Sequence, residues 1–136
     1  METRVERGGA TVATKSNKAV VRRLIDEVLN AGQMNVIDEL YAPVLAPRAK
    51  RWIAPFRASF PDMQMTVIDL IAEGDTVVGH FTCSGTHTGE WRGHAPTGRR
   101  FEAVHEVYIF RFQEGRIVHA WAIEDTLGRL EQLGLR

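Results

Sequence analysis

The chain has little cysteine and no excess of charge of either sign. Its single cysteine, Cys83, cannot form a disulfide within the chain and lies in a strand-like run, so we interpret it as a small core residue. Lysine and arginine total 17 and aspartate and glutamate total 17, which gives a formal net charge of zero. A neutral chain has no general electrostatic attraction to nucleic acid or to an anionic membrane, which argues against both partners.

Long apolar runs are missing as well. No apolar stretch approaches the roughly 20 residues of a membrane-spanning helix, and the first residues lack the apolar centre of a secretory signal. The 136 residues are enough for one domain with a real core. We therefore expect a soluble, cytoplasmic protein in which residues 1–15 form a flexible N-terminal arm and residues 16–136 form a single domain.

The first half of the chain has the apolar spacing of helices. An amphipathic helix is predicted from Ser16 or Asn17 to near Gly32, followed by a short helix over residues 35–41. A third helix can open at Pro47, and Pro55 should either kink it or divide it in two. The aromatic side chains Trp52, Phe56 and Phe60 share one face of this helix.

The second half has the composition of strands. Two strands are predicted over residues 63–72 and 76–84, and a glycine-rich loop, GTHTGEWRGHAPTG, follows over residues 85–98. A leucine-rich helix begins after Asp125 and ends at Gly134. Helices followed by antiparallel strands indicate an α+β fold.

The longest pattern is a hairpin, RRFEAVHEVYIFRFQEGRIVHAWAIEDTLG, with a two-residue turn at Glu114-Gly115. With that turn, the residue numbers of each facing pair add up to 229. A change of register by one residue would place His105 opposite Asp125. Polar residues that interrupt such runs need partners if their face is buried, which indicates chemistry in the hairpin. They are His105, Glu106, His119, Glu124 and Asp125. The predicted facing pairs are Phe110 with His119, Tyr108 with Trp121, and His105 with Glu124.

Four segments carry a family resemblance: FRASFPDMQMTVIDLIAEGDTVV, GTHTGEWRGHAPTGRRFE, YIFRFQEGRIVHAW and EDTLGRLEQLG, which together span Phe56 to Gly134. The chain resembles the SnoaL-like polyketide or ester cyclases of the nuclear transport factor 2-like superfamily. The resemblance implies a cone-shaped, curved antiparallel sheet wrapped around N-terminal helices, with a pocket at the wide end. It also implies a homodimer or a higher homo-oligomer.

The resemblance further implies intramolecular aldol closure, or a related isomerisation, of a small hydrophobic or aromatic substrate, with no metal and no cofactor. In such cyclases an Asp at the end of the last strand is both acid and base, and Asp125 matches that position. His105 or His119 would be its partner. The expected substrate-binding residues are Trp52, Phe56, His87, Trp91, Tyr108 and Trp121.

Other interpretations stay open. Asp125 precedes a helix and is also a good N-cap. Relatives carry polar residues where this chain has YAPVLAPRAKRW and Ala120, which leaves other chemistry open, such as assistance to hydroxylation, isomerisation, dehydration or epoxide opening. A non-catalytic ligand-binding or dimerisation module is a further alternative, because the superfamily that the chain resembles includes many such modules. The five histidines show no metal-ligand spacing, and Cys83 and Ser84 have no nucleophile motif around them.

Overall fold

The helices come first and form one layer. In the computed structural model, which describes residues 11–136, none of the helices is long and apolar enough to cross a membrane. The first helix changes from α to π geometry without a break. The elements are α1 (Val12–Arg23), its π-helical continuation (Leu24–Asn30), a 3₁₀ turn (Met34–Val36), α2 (Ile37–Leu40) and α3 (Ala46–Ser59).

A four-stranded antiparallel sheet follows, with its strands in sequence order. The predicted α+β fold, a curved antiparallel sheet with N-terminal helices, is confirmed. A short helix, α4, closes the chain. The elements are β1 (Gln64–Glu73), β2 (Thr76–Thr86), β3 (Arg100–Gln113), β4 (Arg116–Glu124) and α4 (Thr126–Gln132).

Helix α1 begins earlier than its apolar pattern predicts. The Thr14 amide donates to the Thr11 hydroxyl oxygen at 3.1 Å, and the Thr11 amide donates to the Thr14 hydroxyl oxygen at 2.7 Å. This reciprocal cap starts the helix at Val12, so residues 12–15 are helical rather than part of the predicted arm. Residues 1–10 of that arm lie outside the described residues.

Helix α3 runs through Pro55 without dividing. The hydroxyl oxygen of Ser59 lies 3.1 Å from the Pro55 carbonyl oxygen within this last turn. The guanidinium of Arg57 donates to the Leu29 carbonyl oxygen at the end of the π-helical segment. The end of α3 is therefore bonded to the end of the π-helical segment.

The core lies between the helices and the inward face of the sheet. Cys83 is fully buried there, as predicted, and burial raises the pKa of its thiol to about 12, so the neutral thiol is a packing group and not a nucleophile. Alternate residues along each strand point into this core. Its inward-facing members on the sheet include Met65, Val77, Phe81, Phe101, Val104, Phe110, Phe112 and Ile117.

The hairpin of β3 and β4 has the predicted two-residue turn. Glu114 and Gly115 have φ of 50° and 77°, and next to the turn Phe112 faces Ile117. One residue further along, Val118 has no partner, and Arg111 faces His119. Val118 therefore forms a β-bulge, and beyond it the residue numbers of each facing pair add up to 230 instead of 229.

Beyond that bulge the predicted pairing is wrong by one residue. Ile109 faces Trp121 and Glu106 faces Glu124, so the three predicted facing pairs do not form. The alternative register applies there, because the Asp125 amide donates to the His105 carbonyl oxygen at 3.0 Å. Since side chains alternate across a strand, the shift also reverses which residues of β4 face the core.

Candidate active site

A cavity of about 540 Å³ lies between α3, the inward face of the sheet and the loop over residues 87–99. That volume is within the usual range for small-molecule sites. Its walls are largely aromatic and thioether side chains, and carboxylates line its inner part. The lining residues are Leu29, Trp52, Pro55, Phe56, Ala58, Ser59, Met63, Met65, Glu90, Trp91, Arg92, Glu106, Tyr108 and Glu124.

Two glutamates on neighbouring strands share one arginine. Arg129 of α4 donates from Nη2 to Glu106 Oε2 at 2.7 Å and from Nη1 to Glu124 Oε1 at 2.5 Å. The side chains of Arg129 and Glu106 are 0% and 3% exposed, whereas that of Glu124 is 32% exposed. The arginine therefore holds a buried carboxylate and a solvent-accessible one side by side.

Glu106 and Tyr108 form the deeper part of this group. The Tyr108 hydroxyl donates to Glu106 Oε1 at 3.0 Å. Burial, and then the negative charge of Glu124, raise the pKa of Glu106 above its usual value although Arg129 opposes the shift. Burial and the charge of Glu106 raise the pKa of Tyr108, so its phenol stays protonated and remains a hydrogen-bond donor.

Arg129 is enclosed by aromatic rings. Its guanidinium carbon lies 4.7 Å from the ring centre of Phe101, 5.1 Å from that of Phe56 and 5.9 Å from that of Trp91. Among the described residues its Nε has no hydrogen-bond partner. The rings exclude water from the cation and stabilise it, which strengthens its interaction with both carboxylates.

The loop over residues 87–99 supplies Trp91 to the cavity wall. The amides of Thr88 and Gly89 both donate to the Ser59 carbonyl oxygen at 3.1 Å, and the Ser59 hydroxyl donates to the Glu90 carbonyl oxygen at 2.5 Å. A Cβ at Gly89 would lie 2.2 Å from the Ala58 carbonyl oxygen, so only glycine allows this close approach. The loop is thus fixed to the end of α3.

Four of the predicted substrate-binding residues line the cavity: Trp52, Phe56, Trp91 and Tyr108. Trp52 and Phe56 come from α3 and Tyr108 from β3, and the rings of Trp52 and Tyr108 lie 6.1 Å apart. Trp52 and Phe56 share the face of α3 that their helical spacing predicts, and that face forms part of the cavity wall.

The other predicted site residues lie elsewhere. Asp125 is exposed, and its Oδ1 accepts the Gly128 amide at 2.8 Å as the N-cap of α4. His105 and His119 are exposed on the outer face of the sheet, where Trp121 is also 50% exposed. His87 is fully buried behind Trp91, and its Nδ1 accepts the Thr97 amide at 3.2 Å. None of these five side chains lines the cavity.

Sequence reasoning gave no site role to Glu106, Glu124 or Arg129. Both glutamates were among the polar residues that interrupt the hairpin, and the one-residue alternative register would have paired them. Arg129, a single cation in the leucine-rich α4, follows Glu124 by five residues. No group of three or more potential metal ligands lies together in the part of the chain that the structure describes.

The family model for SnoaL-like polyketide cyclases matches residues 19–133. IdmH from Streptomyces antibioticus, a proposed polyketide cyclase, is 30% identical, with a TM-score of 0.76 over 87% of this chain and 98% of that one. AclR from Streptomyces galilaeus, a proposed hydroxylase, is 27% identical, with a TM-score of 0.80 over 89% and 82%.

A proposed SnoaL-like polyketide cyclase from Jannaschia sp. CCS1 is 23% identical, with a TM-score of 0.86 over 93% of this chain and 97% of that one, and supports the fold alone. A search of curated proteins gave no match. The family model covers most of the chain, and its match includes α3, the whole sheet and α4, which together supply the cavity and its carboxylates. The chain therefore belongs to the SnoaL-like polyketide cyclase family.

Proposed function

We propose that the protein is a cofactor-independent enzyme that closes or isomerises a polyketide-like carbonyl substrate, with Glu124 as its acid and base. The observation that carries this proposal is the pair of glutamates at the inner end of an aromatic cavity, of which Glu124 alone is substantially open to solvent. Its Oε1 is engaged by Arg129, which leaves Oε2 for a substrate. A carboxylate held in this way is suited to proton transfer at an acidic carbon.

The proposed reaction starts with a carbon between two carbonyl groups. Glu124 Oε2 takes the proton from that carbon, and the electrons of the C–H bond move to the adjacent carbonyl oxygen. The phenol of Tyr108 stays protonated, and its O–H, which otherwise donates to Glu106 Oε1, turns to donate to this oxygen as negative charge develops. The enolate carbon then attacks a second carbonyl of the same molecule, and the resulting alkoxide recovers the proton from Glu124.

Glu106 and Arg129 act through these two groups. Glu106 orients the Tyr108 hydroxyl until the substrate oxygen accepts its hydrogen bond, and Arg129 fixes the carboxylate of Glu124. Both are nearly or fully buried, so we assign them as positioning residues. We do not place the base at Asp125, because its carboxylate is turned to solvent and caps α4.

Replacement of Trp52 by alanine is expected to weaken binding of a flat aromatic substrate or product about tenfold, since one aromatic contact contributes about 1.5 kcal/mol at most beyond burial. The matched control is Trp121→Ala, because both tryptophans are partly exposed, at 39% and 50%, and only Trp52 lines the cavity. Isothermal titration of each variant measures the effect. An equal loss in both variants, or a loss only in Trp121→Ala, would contradict the position of the site.

Hydroxylation is a second candidate function, favoured by the likeness to AclR. The two functions differ in what the purified protein needs. A cyclase converts its substrate alone, whereas hydroxylation needs an oxidant and a source of electrons. Product that forms only with oxygen and a reductant would support hydroxylation, and binding without any turnover would support a ligand-binding module.

The outer face of the sheet is the proposed contact between two copies of the chain. Ile71, Val78, Ile109 and Trp121 face one another in register and form an apolar row across all four strands. Ile71 is 64% and Trp121 is 50% exposed, and the chain has no net charge to repel a second copy. A two-fold axis would place this row against itself, which buries apolar surface on both copies.

Trp121→Glu is accordingly expected to convert a dimer to a monomer. A buried glutamate at a two-fold contact would face its own copy and remain without a cation. Val44→Glu is the control, because Val44 is an apolar residue that is 89% exposed in the turn before α3 and is not part of the row. Size-exclusion chromatography with light scattering gives the mass of each. A wild-type monomer, or dissociation by Val44→Glu as well, would rule out this contact.

A further inference from the structure

Two histidines meet on the outer face of the sheet, away from the cavity. His80 lies on β2 and His105 on β3, and His80 Nε2 is 2.8 Å from His105 Nδ1. Their rings are stacked, with centres 5.1 Å apart and planes inclined by 25°. They are 25 residues apart in the sequence, so no sequence spacing reveals the pair.

We propose that His80 Nε2 and His105 Nδ1 form a binding site for a divalent ion such as Zn²⁺, Ni²⁺ or Cu²⁺. Imidazole nitrogens bind zinc at about 2.0–2.1 Å, so two ligands at right angles or at a tetrahedral angle lie about 2.9–3.4 Å apart. The two nitrogens are already within about 0.1 Å of that range. Rotation of the rings that turns both lone pairs to one point completes the pair of ligands.

The charge balance of binding is simple. In the hydrogen bond between the rings, one nitrogen carries a proton and the other accepts it. On binding, that proton moves through solvent to the other nitrogen of its own ring. Both rings stay neutral, and each of the two facing nitrogens gives a lone pair to the ion. The hydrogen bond between the strands is thereby replaced by two bonds to one ion.

The surroundings of the pair favour a cation. Asp69 of β1 faces His80 in the sheet register, and it is exposed on the same outer face. Thr82 faces His105, and Val107 faces His80. Asp125 adjoins His105 through its backbone amide, although its carboxylate caps α4. The two imidazole nitrogens are donors that zinc, nickel and copper accept, with water in the open positions, and the negative charge of Asp69 on the same face favours a cation.

Titration of the purified, tag-free protein with NiCl₂ or ZnCl₂ alone tests the proposal. The expected result is one ion per chain. His80→Ala and His105→Ala should each lower the affinity for the ion about tenfold or more. Loss of even an outer partner of a metal ligand lowers metal affinity about 10–100-fold. The control is His119→Ala, because His119 is exposed on the same face and faces Arg111 instead of a histidine.

A second measurement separates this site from scattered surface binding. The ion joins β2 to β3, so the melting temperature should rise with metal in the wild type and in His119→Ala but not in His80→Ala. Ni²⁺ should also broaden the ring signals of His80 and His105 before those of His119 in proton NMR spectra. Equal affinity in His80→Ala and in the wild type, or loss in His119→Ala as large as in His80→Ala, would overturn the proposal.

Discussion

Glu124→Gln is expected to lower the turnover number by about 10²–10⁴-fold, the usual contribution of a positioned acid or base. Glutamine keeps an oxygen that can accept the Arg129 hydrogen bond, and the position is partly exposed, so the melting temperature should stay close to that of the wild type. The rate of ring closure, or of α-proton exchange in an aryl β-keto ester, measures the loss.

Two further variants make this result specific. Glu131→Gln is the matched control, since Glu131 is an exposed glutamate of α4 whose ion pair with Arg136 spans 3.8 Å. Asp125→Asn tests the neighbouring acid that the family resemblance favours, and asparagine is as good an N-cap as aspartate. Loss of turnover in Asp125→Asn with retention in Glu124→Gln would assign the base to Asp125 instead.

Arg129→Leu is expected to destabilise the protein by about 3–5 kcal/mol near neutral pH, the usual cost of removing one partner from a buried ion pair. The variant leaves the carboxylate of Glu106, which is 3% exposed, without its cation. Urea unfolding measures the change. Arg136→Leu, which removes an exposed pair with Glu131, should change stability very little.

The loss of stability in Arg129→Leu should also depend on pH, and it should be larger at neutral pH than at acidic pH. The pKa of Glu106 is raised in the folded protein, so the folded state binds this proton more tightly than the unfolded state. Its contribution to stability is therefore present below the ordinary carboxyl pKa and is lost as the pH rises through the raised value. Without Arg129, which opposes the rise, that loss should be larger.

Arg129→Leu should accordingly approach the wild type in stability as the pH is lowered from neutral toward the usual carboxyl range. Glu106→Gln in the same chain should recover part of the loss at neutral pH, because it removes the buried charge. A variant as stable as the wild type at neutral pH, with the same pH dependence, would show that Arg129 does not balance a buried charge.

The fold was predictable because its elements follow from local patterns. The period of the apolar residues gave the helices, and Glu114-Gly115 gave the hairpin turn. The start of α1 was missed because a Thr11–Thr14 cap is a weaker signal than one that ends in glutamate. Family resemblance supplied the curved arrangement, which no local pattern contains.

The site was harder to predict because it depends on one residue. In the simple hairpin register, Phe110 and Tyr108 would share the inward face with His119 and Trp121. Val118 adds one residue to β4, so His119 and Trp121 turn to the outer face and Glu124 turns to the cavity. No feature of the stretch RIVHAW predicts a bulge. The predicted register was therefore wrong by one residue, and so was the predicted orientation of each β4 side chain.

The bulge at Val118 also bears on how roles are transferred between family members. In a protein that lacks this bulge, the residue before the position of Glu124 would lie opposite Glu106 and could hold an acid at the same point in space. Two such proteins would hold the acid at the same place in the fold, although the two acids would stand one position apart in a sequence alignment. Column-by-column transfer of a catalytic acid therefore fails wherever strand irregularities differ, and superposed coordinates give the safer correspondence.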